Sequence, residues 1–286
     1  MSIKAAFIGL GAMGAPMAGH LHAKGLLVAV GNRTQARADA LAKELGVAAP
    51  DLAGIAASAD VIALCVSADV DVIGVVQALA PVMKKGGIVI DHSTVAPATA
   101  KRAARILADV GVDFLDAPVS GGVEGAKNGK LSVMVGGDAA VLERARPVLE
   151  AYGARITHMG AVGSGQATKA VNQVLVAGIA HAVTEGLALG EALGLEADRL
   201  IPTLAAGAAG NWFLDKRGAT MLRKEFSVGF KLALLHKDLG IVRGIASEAG
   251  TDRTIIEQSL ADFGELMAQG YGDDDISALI RLKRGS

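Results

Sequence analysis

The stretch "FIGLGAMGAPMAGHLHAKG", residues 7–25, decides the architecture. An apolar run ends in Gly9, Gly11 and Gly14, and a helical pattern follows with Pro16 in its first turn and Gly25 as its stop. The spacing is G-x-G-x-x-G, with Leu10, Ala12 and Met13 among the glycines. Gly9 permits a tight turn, Gly11 lets a phosphate approach the backbone, and Gly14 lets the helix pack closely on the strand. Free N–H groups and the positive end of the helix dipole then face the anion. Such a turn is weak evidence alone. Between a strand and a helix it predicts dinucleotide binding.

The next strand runs into "VAVGNRTQAR", residues 28–37. An acid at its tip would hydrogen-bond an adenosine ribose 2′-OH and repel a 2′-phosphate. The chain offers Asn32, Arg33 and Thr34 instead. Arg33 brings a planar, permanently charged fork, and its neighbours add hydrogen-bonding groups. A solvated loop arginine is the plain alternative. Position favours NADP(H), with NAD(H) as the second cofactor.

Composition narrows the class. Of 286 residues, 51% are hydrophobic but 3% aromatic, so Ala, Val, Leu and Ile build the core. The 28 Lys and Arg nearly cancel 29 Asp and Glu, which argues against a nucleic-acid partner. Cys65 is the single cysteine, and "DVIALCVS" reads as a buried strand, so a small core hydrophobe in a reducing cytoplasm is expected. The most apolar segment, residues 169–194, is broken by Lys169, Asn172, Gln173, His181 and Glu185, so no membrane span is expected. Six scattered histidines and no cysteine cluster point to no metal.

Up to about residue 160, short β-branched runs alternate with helical pattern. The early runs are apolar throughout, as in a parallel sheet covered on both faces. Asn128-Gly129 reads as a hairpin turn that adds antiparallel strands late. Beyond residue 163 only helical rhythm remains, including one long helix over 164–194 and a continuous helical run over 202–224. The expected fold is a Rossmann-type α/β N-terminal domain, residues 1–162, and an all-α C-terminal domain, residues 163–286, joined by a long helix.

Four motifs, "GLGAMGAPMA", "DAPVSGGVEGAKNGKLSVMVGG", "GSGQATKAVNQ" and "HKDLG", resemble the β-hydroxyacid dehydrogenase family along essentially the whole chain. This family includes 3-hydroxyisobutyrate dehydrogenases and tartronate and succinic/glyoxylate semialdehyde reductases, with 6-phosphogluconate dehydrogenase more distant. "NRT" matches its NADPH-using members. Ser120, Gly121 and Gly122 follow an apolar run, and paired glycines leave N–H groups open to an anionic oxygen. By resemblance they hold the substrate carboxylate. Lys169 and Asn172 lie three residues apart, hence on one helix face. An ordinary lysine, with a pKa of about 10.4, is a slow acid at neutral pH, and desolvation would lower that value.

The resemblance gives Lys169 the role of proton donor and acceptor, and Asn172 that of orienting the substrate. It also places Lys237 near the nicotinamide, oriented by Asp238, although neighbours on a helix do not face each other and a simple ion pair between them is not expected. Val66, Ser67 and Thr94, at strand ends, are implied at the ribose and nicotinamide. Trp212 and Phe230 are candidates for the pocket or for the core. Asp91 and His92 are adjacent but show no third partner for a dyad. The implied protein is an oligomeric, cytoplasmic enzyme, dimer or tetramer, acting on a small carboxylate. An imine reductase, which generally lacks the lysine, and a non-catalytic NADP-binding module are the alternatives.

Overall fold

The computed structural model describes residues 3–284. The chain divides into two compact units, one up to Lys169 and the other from Ala170.

The first unit alternates strands and helices: β1 (Ala5–Ile8), α1 (Gly14–Ala23), β2 (Leu27–Gly31), α2 (Gln35–Leu45), α3 (Leu52–Ser58), β3 (Val61–Leu64), α4 (Asp69–Leu79), β4 (Ile88–Asp91), α5 (Pro97–Ala108) and β5 (Asp113–Asp116). These five strands are parallel in the order β2-β1-β3-β4-β5. A bridge between Ala29 and Ala48 adds the remnant of an outer strand beside β2. Alternation puts Phe7, Ala63 and Ile90 in one apolar cluster and Ile8, Ile62 and Val89 in the other, so the sheet is covered on both faces. The strand order reverses at β1, and ligands bind open α/β sheets at the carboxyl ends beside such a point.

Then follow β6 (Val119–Ser120), α6 (Gly122–Lys127), β7 (Leu131–Gly136), α7 (Ala139–Leu149) and β8 (Gly153–Gly160). The late antiparallel pairing exists, since β7 runs against β5 and β6, while β8 is parallel to β7. Its expected cause does not. Asn128 caps the C-terminus of α6 and Gly129, at φ +63°, leads out of that helix; neither forms a hairpin turn. Cys65 also departs from expectation. It lies one residue beyond β3 and is only partly buried.

α8 (Ser164–Ala192) begins in the first unit and continues into the second. It is the one helix among the described residues long and apolar enough to cross a membrane by length and composition. Buried Gln166, Lys169, Gln173 and Thr184 interrupt it. The second unit adds α9 (Ala197–Ala205), α10 (Trp212–Leu222), α11 (Leu232–Ala249), α12 (Thr254–Ala268), a 3-10 turn (Ile276–Leu279) and α13 (Ile280–Lys283). Leu214, Met221, Leu235, Leu239, Phe263 and Leu279 form its core. The helical run expected over 202–224 is broken. Gly207 and Gly210 fall in the gap, and Asn211 restarts the chain by accepting the Leu214 N–H at 2.9 Å. Trp212 stands 52% exposed in the first turn of α10, outside the core.

Candidate active site

The glycine turn leaves β1 with Gly9 at φ +97°. A Cβ there would overlap the carbonyl of Cys65, and one on Gly14 would overlap the carbonyl of Gly9 and press on the Phe7 ring. Gly11 is different: a Cβ there would meet nothing within 4 Å. α1 has no side-chain cap and no acid in its first turn, so its N-terminal amides remain unopposed by a carboxylate. These features fit a bound pyrophosphate. The N–H of Leu10 donates to Asn32 Oδ1 at 3.0 Å, and Asn32 Nδ2 donates to the Thr34 carbonyl at 3.1 Å. One amide side chain thus fixes the turn to the tip of β2.

A cavity of about 490 Å³ opens beside this turn. Of the residues expected to meet the cofactor, Gly9, Gly11, Asn32, Arg33, Thr34, Val66 and Ser67 line it. Leu10, Ala12, Met13, Gly14, Thr94 and Lys237 do not; Leu10 and Gly14 are buried behind the turn, and Lys237 belongs to the second unit. Sequence reasoning missed Arg37 and Asp71, which line the same wall. The signal for Arg37 was its place in the first turn of α2, directly after the Asn32–Thr34 segment. Asp71, from α4, carried no local signal.

Deeper, the carboxyl ends of β3 and β4 are tied together. The Val66 N–H donates to Ser93 Oγ at 2.9 Å, and Gln166 Nε2 donates to the Ser93 carbonyl at 2.7 Å. Thr94 follows, half-buried. Asp91 and His92 are both fully buried yet do not pair. Asp91 Oδ1 accepts the Ser93 N–H, whereas His92 Nδ1 lies 2.7 Å from the Ala117 carbonyl and Nε2 2.8 Å from the Tyr152 hydroxyl. A carbonyl only accepts, so the proton sits on Nδ1 and Nε2 accepts from Tyr152. Burial pushes Asp91 up to about 7 and His92 down to about 4, each toward its neutral form.

Asp116 anchors the start of α8. Its Oδ1 accepts the Gly163 N–H at 2.7 Å and its Oδ2 the Gln166 N–H at 2.9 Å, while burial raises its pKa. Three residues beyond Gln166, Lys169 is 7% exposed and donates from Nζ to the Val119 carbonyl at 2.8 Å. Ser120, Gly121 and Gly122 come next in the chain, the glycines at φ +131° and +62°. Lys169 and this segment therefore meet in the first unit.

In the second unit a separate chain of polar contacts joins the remaining candidates. Asn172 Nδ2 donates to Gln173 Oε1 at 2.8 Å, Gln173 Nε2 to Asp238 Oδ2 at 2.7 Å, and Lys237 Nζ lies 2.9 Å from Asp238 Oδ1. The last contact corrects the expectation that Lys237 and Asp238 would not pair. Adjacent Cβ atoms do diverge, but the long lysine stem curls back to the buried carboxylate. Gln173 was noted only as a polar interruption and proves to be the bridge. Among the described residues no cluster of metal-binding groups occurs.

Residues 4–160 match the model of the NAD-binding domain of 6-phosphogluconate dehydrogenase, and residues 163–283 match that of the NAD-binding of NADP-dependent 3-hydroxyisobutyrate dehydrogenase. An NAD-dependent L-serine dehydrogenase of Pseudomonas aeruginosa is 36% identical over 97% of this chain and 96% of its own. The 2-hydroxy-3-oxopropionate reductase of Escherichia coli is 35% identical over 98% and 96%. A 3-hydroxyisobutyrate dehydrogenase of Mycobacterium tuberculosis, solved with L-serine, superposes with a TM-score of 0.89 at 32% identity, each chain covered fully. Solved imine reductases stand further off, at 18–23% identity and TM-scores of 0.61–0.65, and share the fold alone. With both halves matched by the family's models and whole-length relatives above 30% identity, the chain belongs to the β-hydroxyacid dehydrogenase family of pyridine-nucleotide-dependent oxidoreductases.

Proposed function

We propose that the protein is an NADP(H)-preferring oxidoreductase that interconverts a small β-hydroxy or ω-hydroxy carboxylate and its semialdehyde, with Lys169 moving the proton of the substrate oxygen. One observation carries the reading: Lys169 is buried with its Nζ on the Val119 carbonyl, immediately before the Ser120–Gly121–Gly122 backbone. A buried ammonium is costly, and a role in moving the substrate's proton gives a reason for keeping one here. Ser120 and the two glycines bind the substrate carboxylate, and Asn172 and Asp238 orient the substrate. Gly9 to Gly14 hold the pyrophosphate, Asn32, Arg33 and Thr34 the 2′-phosphate, and Val66, Ser67, Thr94 and Lys237 the ribose and nicotinamide. When bound, the nicotinamide supplies hydride to the carbonyl carbon or removes it from the alcohol. In reduction the Lys169 ammonium gives its proton to the carbonyl oxygen; in oxidation the neutral amine takes the hydroxyl proton. We assign residues 1–162 to the nucleotide and 163–286 to the substrate and to assembly as a homodimer or homotetramer. Exposed Val171, Leu175 and Ile179, one apolar row on α8, support the assembly.

The test is turnover of NADPH, read by nicotinamide absorbance, with glyoxylate, succinic semialdehyde, tartronate semialdehyde and methylmalonate semialdehyde. Reduction of at least one is expected. Turnover of a cyclic imine and none of these would make the enzyme an imine reductase instead. Arg33→Asp should weaken NADP binding far more than NAD binding, and equal loss of both would refute the 2′-phosphate assignment.

A further inference from the structure

A cofactor site selective for the 2′-phosphate needs cations at the tip of the second strand, and this one has Arg33 and Arg37. Yet the same wall carries a carboxylate. Asp71, in the first turn of α4, lines the cavity, and its Oδ1 lies 3.1 Å from Arg33 Nη1. The two partners are unequal. Arg33 is 84% exposed at the side chain and extends from a loop, whereas Asp71 is 24% exposed and sits on a helix. Its carboxylate is also favoured there by the helix N-terminus. The carboxylate is therefore the fixed partner, and the guanidinium leans onto it.

We infer that Asp71 sets the NADP-to-NAD selectivity of this pocket, by occupying Arg33 and by repelling the 2′-phosphate. The inference rests on the NADP reading given above and adds to it an opposing residue from a different element. A 2′-phosphate must take Arg33 from Asp71 and then lie beside a second anion. A ribose 2′-OH meets no such repulsion and can donate to the carboxylate, so NAD(H) keeps a foothold. The acid that a strictly NAD-binding chain places after its second strand is here supplied by α4, opposed by Arg33.

The experiment measures dissociation constants of 2′,5′-ADP and 5′-ADP for the full chain, its Asp71→Asn and Asp71→Ser variants, and Arg33→Ala. Asp71→Asn removes the charge and keeps the size; Asp71→Ser is a second replacement compatible with a helix start, should the first not fold. Either should raise the preference for 2′,5′-ADP by about threefold to tenfold, with NADP and NAD following in the same direction. A preference within about twofold of the parent's, or below it, overturns the role of Asp71 whatever the parent prefers. A parent that binds the two nucleotides alike, together with an Arg33→Ala variant unchanged from it, overturns the NADP reading instead.

Discussion

Asp91 and His92 are neighbours in sequence, both buried, and their acid–base behaviour opposes. The folded pKa of Asp91 is raised to about 7 from 3.8, so its contribution to stability is complete below 3.8 and is lost as pH rises through 7. His92 is lowered to about 4 from 6.5, so its contribution is present above 6.5 and is lost as pH falls through 4. Each shift corresponds to about 3–5 kcal/mol, and between pH 4 and 6.5 the two slopes nearly cancel. Removing one should expose the other. Asp91→Asn should lose stability on acidification from pH 6.5 to 4 more steeply than the parent, and His92→Gln should gain over the same interval, as denaturant midpoints measured across pH would show. Lys169→Ala addresses the chemistry: kcat should fall by about a hundredfold or more while NADPH affinity stays within about twofold. Single-residue readings from the sequence rested on each side chain's own chemistry and on helical spacing. They failed for Lys237 and Asp238, where reach outweighed helical spacing, and they could not find Asp71, whose partner lies 38 residues away.

At the scale of elements, the start of α8 hangs on Asp116. Both carboxylate oxygens accept backbone N–H groups, and Cβ atoms at Gly136 and Gly165 would crowd the same side chain, at 2.5 Å and 2.9 Å. Asp116→Ala leaves two amide donors buried and unpaired and should cost about 2–4 kcal/mol, read as a lowered urea midpoint with unchanged slope. The position of Lys169 depends on the same anchor, so residual activity should fall with it. Strands β1 to β4 were legible because their apolar runs are too short for helices and are bounded by polar or turn residues, whereas β5, with Asp113 and Asp116 at its ends, carries a weaker signal. The break between α9 and α10 was not, because small residues over 202–211 keep a helical rhythm that only Gly207, Gly210 and the Asn211 cap interrupt. Asn128-Gly129 shows the converse: a strong turn signal reported a real change of direction but belonged to a helix end.

For the whole molecule, the alternation of rhythm before residue 160 and its loss afterwards marked an α/β half and a helical half, because period-2 and period-3.6 patterning differ physically. What the pattern could not reveal was which groups the polar residues inside α8 meet: Gln166 bonds to Ser93, Lys169 to Val119 and Gln173 to Asp238, all far away in sequence. The proposed assembly is tested at this scale. Leu175→Glu places a charge in the exposed apolar row of α8 and should shift the protein toward monomer in light scattering, with its helical circular dichroism retained. The tie made by Asn32 has a consequence for anyone redesigning coenzyme choice. Its oxygen grips one loop and its nitrogen the next, so a carboxylate grafted at that position keeps the grip on Leu10 and forfeits the one on Thr34. A swap that begins at Arg33 and spares its predecessor leaves both of those bonds, and the seam they close, intact.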